Sequence, residues 1–401
     1  MSAIPEPPAL STARRPADRK RQLIDRAAQL FLERGYPQVS VAEIARAAGV
    51  TGPSLYRHFD DKQALLTAAV LTGVDDLEAC TDRALSSTQR YEADDPRRLD
   101  VLVDAICNLG IRRPEAAVLW RWNGAFLSDE QNSEVAARTT AVLERWADAL
   151  FLGRDELSPW EIRQLAWAVL SITGSLSVHT TRIPAVRARA QLRTLVGRAI
   201  ALRPATAPEL TAVTMPAAEA IGRREEILDA SSELFQRRGF GNVGVDEIGE
   251  AVGITGPSVY KHFPSKIAIL TSIGRRSAAR LEAGAMAAGT LTTSPRQLLA
   301  ALAESYVAVL TSTPDLSVAF NNGAVLRNLD ARDLLAAQHH YVARWIALVT
   351  EIEPGLPRAE AAITVHAALS IANDTVRMRR GRERPALPGQ LAYLMKGVLG
   401  L

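Results

Sequence analysis

Two short stretches hold the side chains whose types and spacing could do chemistry. Residues 51–62 read TGPSLYRHFDDK and residues 255–266 read TGPSVYKHFPSK. Thr, Gly, Pro, Ser, Tyr, His, Phe and Lys recur in register at an offset of 204. Each stretch places small residues ahead of a run of donors. Gly52, Pro53 and Ser54 follow the N-cap Thr51, and Gly256, Pro257 and Ser258 follow Thr255. Free N–H groups and the helix dipole favour anions at such a start, and small side chains let the backbone come close to a phosphate or base edge. Tyr56, Arg57, His58 and Lys62 then supply donors of the kind that bind a DNA backbone, as do Tyr260, Lys261, His262 and Lys266.

The elements around these stretches must aim them. Ser40-Val-Ala-Glu43 is a capping box that opens a short helix over about 41–48, and Ala48-Gly49-Val50 makes a turn into a second over about 52–58. Val41, Ile44, Ala45, Val50 and Leu55 face inward. They rest on a preceding helix whose Leu23, Ile24, Ala27, Leu30 and Phe31 share one face and which stops at Gly35. The offset of 204 also pairs Phe31 with Phe235, Gly35 with Gly239, Ile44 with Ile248 and Gly49 with Gly253. One helix pair could be plain packing. A doubled motif with matched Thr, Gly, Pro, Tyr, His and Lys is not explained by packing, and DNA binding is the reading it favours.

The repeat extends further at an offset near 199, pairing Asn123-Gly124 with Asn322-Gly323, Trp146 with Trp345 and Ser171-Ile172 with Ser370-Ile371. Helical texture runs throughout without an alternating strand, so the expected class is all-α. The expected organisation is a disordered tail (1–17), a helix-turn-helix domain (18–66), a helical effector and dimerisation domain (67–202), and a linker (203–221). A second helix-turn-helix domain (222–270) and a second helical domain (271–401) follow. Two cysteines, Cys80 and Cys107, make no disulfide framework, and a cytoplasmic protein with no membrane span is expected. The net charge of +3 speaks against a strong nucleic-acid binder only as an average. Residues 14–62 hold ten basic and six acidic side chains, whereas residues 223–266 hold six and seven. The basic run Arg14, Arg15, Arg19, Lys20 and Arg21 precedes the first copy alone, and is either a minor-groove arm or a solvated tail.

Residues 19–66 and 223–270 resemble the DNA-binding domain of the TetR family of transcriptional regulators. The shared pattern is Leu-Phe-x-x-x-Gly-Tyr/Phe, then Val-x-x-Ile-Ala/Gly, then Gly-Val/Ile-Thr-x-x-x-Leu/Val-Tyr-Arg/Lys-His-Phe with a following Lys. The resemblance implies that Thr51, Gly52, Pro53, Ser54 and Arg57 face the major groove, with Tyr56, His58 and Lys62 on phosphates. In the second copy Thr255, Gly256, Pro257, Ser258 and Lys261 take the groove, with Tyr260, His262 and Lys266 on phosphates. Ser40 is expected to cap and touch phosphate, whereas its counterpart Gly244 offers no hydroxyl. The family binds DNA as homodimers, so the fusion implies an intramolecular pseudo-dimer on operator DNA, with a homodimer of whole chains also open. Its tandem form is similar to double-TetR regulators of mycobacterial-type lipid and steroid operons.

The family also implies a small hydrophobic effector. Trp120, Trp122, Asn123 and Phe126 in the first half, and Phe320, Asn322 and His366 in the second, are the candidate pocket residues. Asn373-Asp374 inside an apolar helix either faces a pocket or pairs across the junction of the halves. No metal set is expected, since the adjacent His339 and His340 cannot chelate together, and no cofactor. No nucleophile elbow, phosphate-cradling loop or paired carboxylates point to an enzyme. The reading is a ligand-released repressor. Its alternatives are an activator, or a sensing protein with one working reader.

Overall fold

The computed structural model describes residues 16–92, 95–113, 126–178, 181, 183–210, 222–327, 332–378 and 386–401. Among them the regular structure is helical, with no strand. The first half comprises α1 (Pro16–Arg34), α2 (Val41–Ala47), α3 (Gly52–Tyr56), α4 (Lys62–Thr88), α5 (Pro96–Arg112), α6 (Asp129–Leu150), α7 (Pro159–Gly174) and α8 (Ala185–Ile200). The second comprises α9 (Arg223–Arg238), α10 (Val245–Ala251), α11 (Gly256–Val259), α12 (Lys266–Leu291), α13 (Pro295–Ser312), α14 (Asp315–Asn321), α15 (Gly323–Arg327), α16 (Arg332–Ile352), α17 (Arg358–Met378) and α18 (Leu387–Leu399).

Each short helix pair is fastened by the apolar face that its sequence periodicity marks. Leu23, Ala27, Phe31, Ile44, Ala45 and Leu55 are buried in one cluster with Leu65 and Leu66 of α4. Ile227, Phe235, Ile248, Val259 and Phe263 make the matching cluster in the second half. Gly49 and Gly253 carry the turn at φ of 66° and 70°, a left-handed conformation that costs glycine no Cβ clash.

An apolar seam joins the halves. Leu165, Val169, Ile172, Leu192, Leu195 and Val196 of α7 and α8 share one buried cluster with Ile363, Ala367 and Ile371 of α17 and with Leu394 and Val398 of α18. Polar pairs stitch its edges. Arg187 meets Glu360 at 2.5 Å, Gln191 Nε2 donates to Thr364 Oγ1 at 2.7 Å, and Arg198 meets Glu353 at 2.8 Å. The expected linker is in part built into this seam. Residues Pro204–Thr206 form a 3-10 turn with Pro204 buried, and the Ala205 N–H donates to the buried Glu161 at 2.8 Å. Burial pushes the Glu161 carboxyl up, but hydrogen bonds from Ser158 and Ala205 outweigh it and hold the group below the usual carboxylate range. Free of a hydrophobic period, this stretch is placed by backbone hydrogen bonding, which periodicity does not reveal. Residues 211–221 lie outside the described residues.

Candidate nucleic-acid interface and effector cavity

α3 and α11 present the same surface. Thr51, Pro53, Tyr56 and Arg57 are exposed while Leu55 is fully buried beneath them. Thr255, Pro257, Tyr260 and Lys261 are exposed over the buried Val259. Tyr56 and Tyr260 are each 54% exposed, unusual for large aromatics on otherwise well-packed domains. Ser54, His58, Ser258 and His262 are half-buried at the flanks of these faces. Thr51 holds the N-cap position through its carbonyl, which accepts from Ser54 and Leu55 N–H groups; its hydroxyl makes no capping bond. The Thr255 hydroxyl is instead 2.9 Å from the Ser258 hydroxyl.

Lys62 and Lys266, expected on phosphates, are each engaged within the protein. Lys62 Nζ donates to the Tyr36 and Val39 carbonyls at 2.9 and 3.0 Å and lies 4.3 Å from the Tyr36 ring centroid. Lys266 Nζ repeats this on the Phe240 and Val243 carbonyls, both at 2.8 Å. Burial holds both ammonium groups below the usual lysine range. Each fastens the turn between the first two helices of its reader, and a phosphate would have to compete with two carbonyls for it. The aromatic at Tyr36 and Phe240, always a fixed distance ahead of the lysine, was the signal for this pairing.

The two readers differ beneath their matched faces. Ser40 completes its capping box: Glu43 N–H donates to Ser40 Oγ at 3.2 Å, and Ser40 N–H donates back to Glu43 at 2.8 Å. With Arg34 alongside, these bonds hold the exposed Glu43 carboxyl at about 2. Gly244 keeps only the backbone half, its N–H donating to Glu247 at 2.7 Å. Where the first copy has Ala42, the second has Asp246, whose carboxylate stands over the first residue of α11. A Cβ at Gly256 would lie 1.8 Å from Asp246 Oδ1, whereas one at Gly52 would meet open space.

Phe126 was expected to line a pocket, but it packs on reader 1 instead. Its ring lies 4.8 Å from Tyr36, and its carbonyl accepts from Gln63 Nε2 at 3.2 Å. The same ring approaches reader 2, since a Cβ at Gly241 would stand 3.6 Å from Phe126 Cε1. Its amphipathic neighbourhood gave no hint of which surface it would cover. Trp120, Trp122 and Asn123 lie outside the described residues.

A cavity of about 730 Å³ opens in the second half, bounded by α12, α13, α14, α16 and α17. Phe320 and His366 line it, as do Tyr306, Tyr341 and Asn373. Val178, at the end of the first half's helical seam, also reaches its wall. Asn322 does not; its side-chain amide donates to the Val318 carbonyl at 2.8 Å and closes α14. Asn373 Oδ1 accepts from the Tyr306 hydroxyl at 2.8 Å on the cavity side, whereas Asp374 is not in the wall and meets Arg377 of the same helix at 3.3 Å.

One wall of this cavity is tied to reader 2. Asp315, the first residue of α14, is only 1% exposed. It accepts from Ser232 Oγ of α9 at 2.8 Å, from Arg276 Nε at 2.6 Å and from Arg280 at 2.7 Å. Arg276 in turn meets Glu225 and Asp229 of α9 at 2.9 and 2.8 Å. Among the described residues no helix is long and apolar enough to cross a membrane, and no cluster of three His, Cys, Asp or Glu side chains could hold a metal ion.

The domain model described as bacterial regulatory proteins, tetR family, matches residues 23–69 and again 227–273. The HTH-type transcriptional activator FasR of Mycolicibacterium smegmatis is 31% identical over 164 residues, 40% of this chain and 71% of that protein. The HTH-type transcriptional repressor KstR2 of Rhodococcus jostii is 42% identical over 71 residues, 18% of this chain and 34% of the repressor. Among solved structures, the ketosteroid transcriptional regulator KstR2 of Mycobacterium tuberculosis aligns with a TM-score of 0.38 at 21% identity, covering 45% of this chain and 93% of that one.

Proposed function

Since this chain belongs to the tetR family of bacterial regulatory proteins and carries its DNA-binding unit twice, we propose that it is a one-chain repressor. In this reading the two readers grip operator DNA as an intramolecular pseudo-dimer and let go when a small hydrophobic effector fills the second-half cavity. The observation that carries it is the shared seam of α7, α8, α17 and α18, a continuous apolar core of the kind that joins permanent partners. Readers of a two-fold pair must sit about one DNA turn apart, roughly 34 Å. The seam and the approach of Phe126 to Gly241 are the fixtures that would set that distance.

DNA contact in this reading falls to Thr51, Gly52, Pro53, Ser54, Tyr56, Arg57 and His58 and to their second-half counterparts except Gly256, which was expected in the groove but is buried beneath Asp246. The effector acts through α14, whose Leu316 and Phe320 face the cavity while Asp315 holds α9. A ligand that favours one position of α14 thereby favours one position of reader 2, which is what coupling requires. Activation is the second reading, and the name of the FasR relative favours it.

The test changes Tyr56 and Tyr260 separately to Ala and footprints each variant on the intergenic DNA upstream of its own gene. Each change should weaken binding and erase protection of one half-site. A Tyr260→Ala protein with normal affinity and an unchanged footprint would sink the two-reader model.

A further inference from the structure

α17 is buried along its length, and one position breaks the pattern. Between Glu360 and Asp374 every residue is buried except His366. His366 lines the cavity, so the space it sees is the cavity itself. Ser370 and Asn373 line it too, four and seven residues further on. That spacing puts all three on one stripe of the helix. Facing them are Leu316, Ala319 and Phe320 of α14 and Leu334 and Leu335 of α16. The cavity therefore sets an apolar patch from α14 and the start of α16 against a hydrogen-bonding stripe on α17, with Gln338, His340 and Tyr341 further along α16 adding polar groups.

Charge is what the wall withholds. Among the described lining residues there is no lysine or arginine, while Glu282 contributes a carboxylate. Arg377, the nearest guanidinium on α17, is engaged by Asp374 and by Asn321 Oδ1 at 2.7 Å. Burial holds the His366 imidazole at about 4, so it enters the wall uncharged. An anion moved into such a space would lose its hydration without meeting a lysine or arginine among the described lining residues, a penalty larger than that for a hydroxyl or ketone that finds one hydrogen bond.

Resting on the reading of this cavity as the effector site, we propose that it selects against anionic ligands. The ligands it takes are elongated, apolar along one edge and oxygen-bearing along the other, with hydroxyl or carbonyl groups set against His366, Ser370 and Asn373. Free carboxylic acids and phosphate-bearing thioesters are excluded from it. Because Val178 comes from the other half, the site is complete only in the fused chain.

Two dyes separate the possibilities without knowledge of the natural effector. Nile red is neutral and carries a carbonyl; 1-anilinonaphthalene-8-sulfonate is of similar size and anionic. Fluorescence titration of the full chain at pH 7.5 should give Nile red a Kd at least tenfold lower. Leu316→Trp, which fills the apolar side, and Val178→Trp should each weaken Nile red at least fivefold. Melting curves of both variants establish that they fold. Ser370→Ala, a milder change, should weaken it about threefold, the worth of part of one hydrogen bond. Equal or tighter binding of the sulfonate, or Nile red binding that ignores both Trp variants, overturns charge selection while leaving an effector role open. Tight Nile red binding that leaves operator affinity untouched overturns the effector role and not the selection. Failure of both dyes to bind overturns both.

Discussion

Lys62→Met separates a DNA contact from a structural one. The ammonium makes two hydrogen bonds to carbonyls, each charge-assisted and worth about 1.5–3 kcal/mol when buried. The group is only half-buried, so about half of that survives, and the Tyr36 ring adds roughly 0.5 kcal/mol. Methionine keeps the apolar stem and removes all three interactions, so the opening of reader 1 should become easier by about 2 kcal/mol. Amide exchange in α2 should then speed up about thirtyfold, since each 1.4 kcal/mol is a factor of ten. Operator binding, measured on the folded protein from low to high salt, should keep its log–log slope. A lysine on phosphate would behave in the opposite way. Its loss would flatten the slope by about 0.9 and leave amide exchange alone. A flattened slope with unchanged exchange would refute the assignment of Lys62 to the turn.

Asp315→Asn should cost the second half about 3 kcal/mol, the low end for breaking a buried ion pair, because Arg276 retains Glu225 and Asp229. Urea unfolding followed by Trp345 fluorescence would measure it, and a loss below 1 kcal/mol would count against the tie between α14 and α9. His366 gives a pH signature. Its folded value of about 4 lies below the ordinary 6.5, so its contribution is complete above pH 6.5 and falls away as acid protonates the unfolded chain first. Between pH 6.5 and 4 the wild type should lose more stability than His366→Leu, by about 1–3 kcal/mol once partial exposure is discounted, and parallel pH profiles for the two would refute the neutral imidazole in the cavity wall.

The all-α class and the doubled reader were legible because both rest on local pattern: period, caps and a twelve-residue motif. The buried faces of α1 and α2 follow from i, i+3, i+4 spacing alone. The carbonyl contacts of Lys62 are not legible in the sequence because a lysine after a recognition helix looks the same whether its charge meets phosphate or a carbonyl. Only the fold brings Tyr36 and Val39 to it. Phe126 was misread for a related reason, since helical aromatics announce burial and not the surface that buries them. His366 is a candidate in the sequence only by its place in the repeat, and the structure sets it in the cavity wall. Asp246 passed unnoticed because comparing the recognition motifs leaves out the helix before them.

Fusion changes what a two-fold regulator can become. In a homodimer every substitution appears twice, so neither reader nor pocket can diverge without its copy. The two copies differ at matched positions: Ala42 stands against Asp246, Ser40 against Gly244 and Arg57 against Lys261. Glu161 and Glu360 sit at matched places in the seam, yet one holds the Ala205 N–H of the connecting segment and the other holds Arg187. The asymmetry has a direction. Reader 1 carries the excess of positive charge, which governs affinity through phosphate and salt. Reader 2 carries less, sets an aspartate against the first turn of its recognition helix, and is bound through Asp315 to a wall of the cavity. A weakly held reader is the one that a ligand of modest differential affinity can dislodge, because the coupling energy has less binding to overcome. On the proposed repressor reading this asymmetry would divide the labour: the first half would anchor the chain on DNA, and the second would decide whether the pair of contacts is completed.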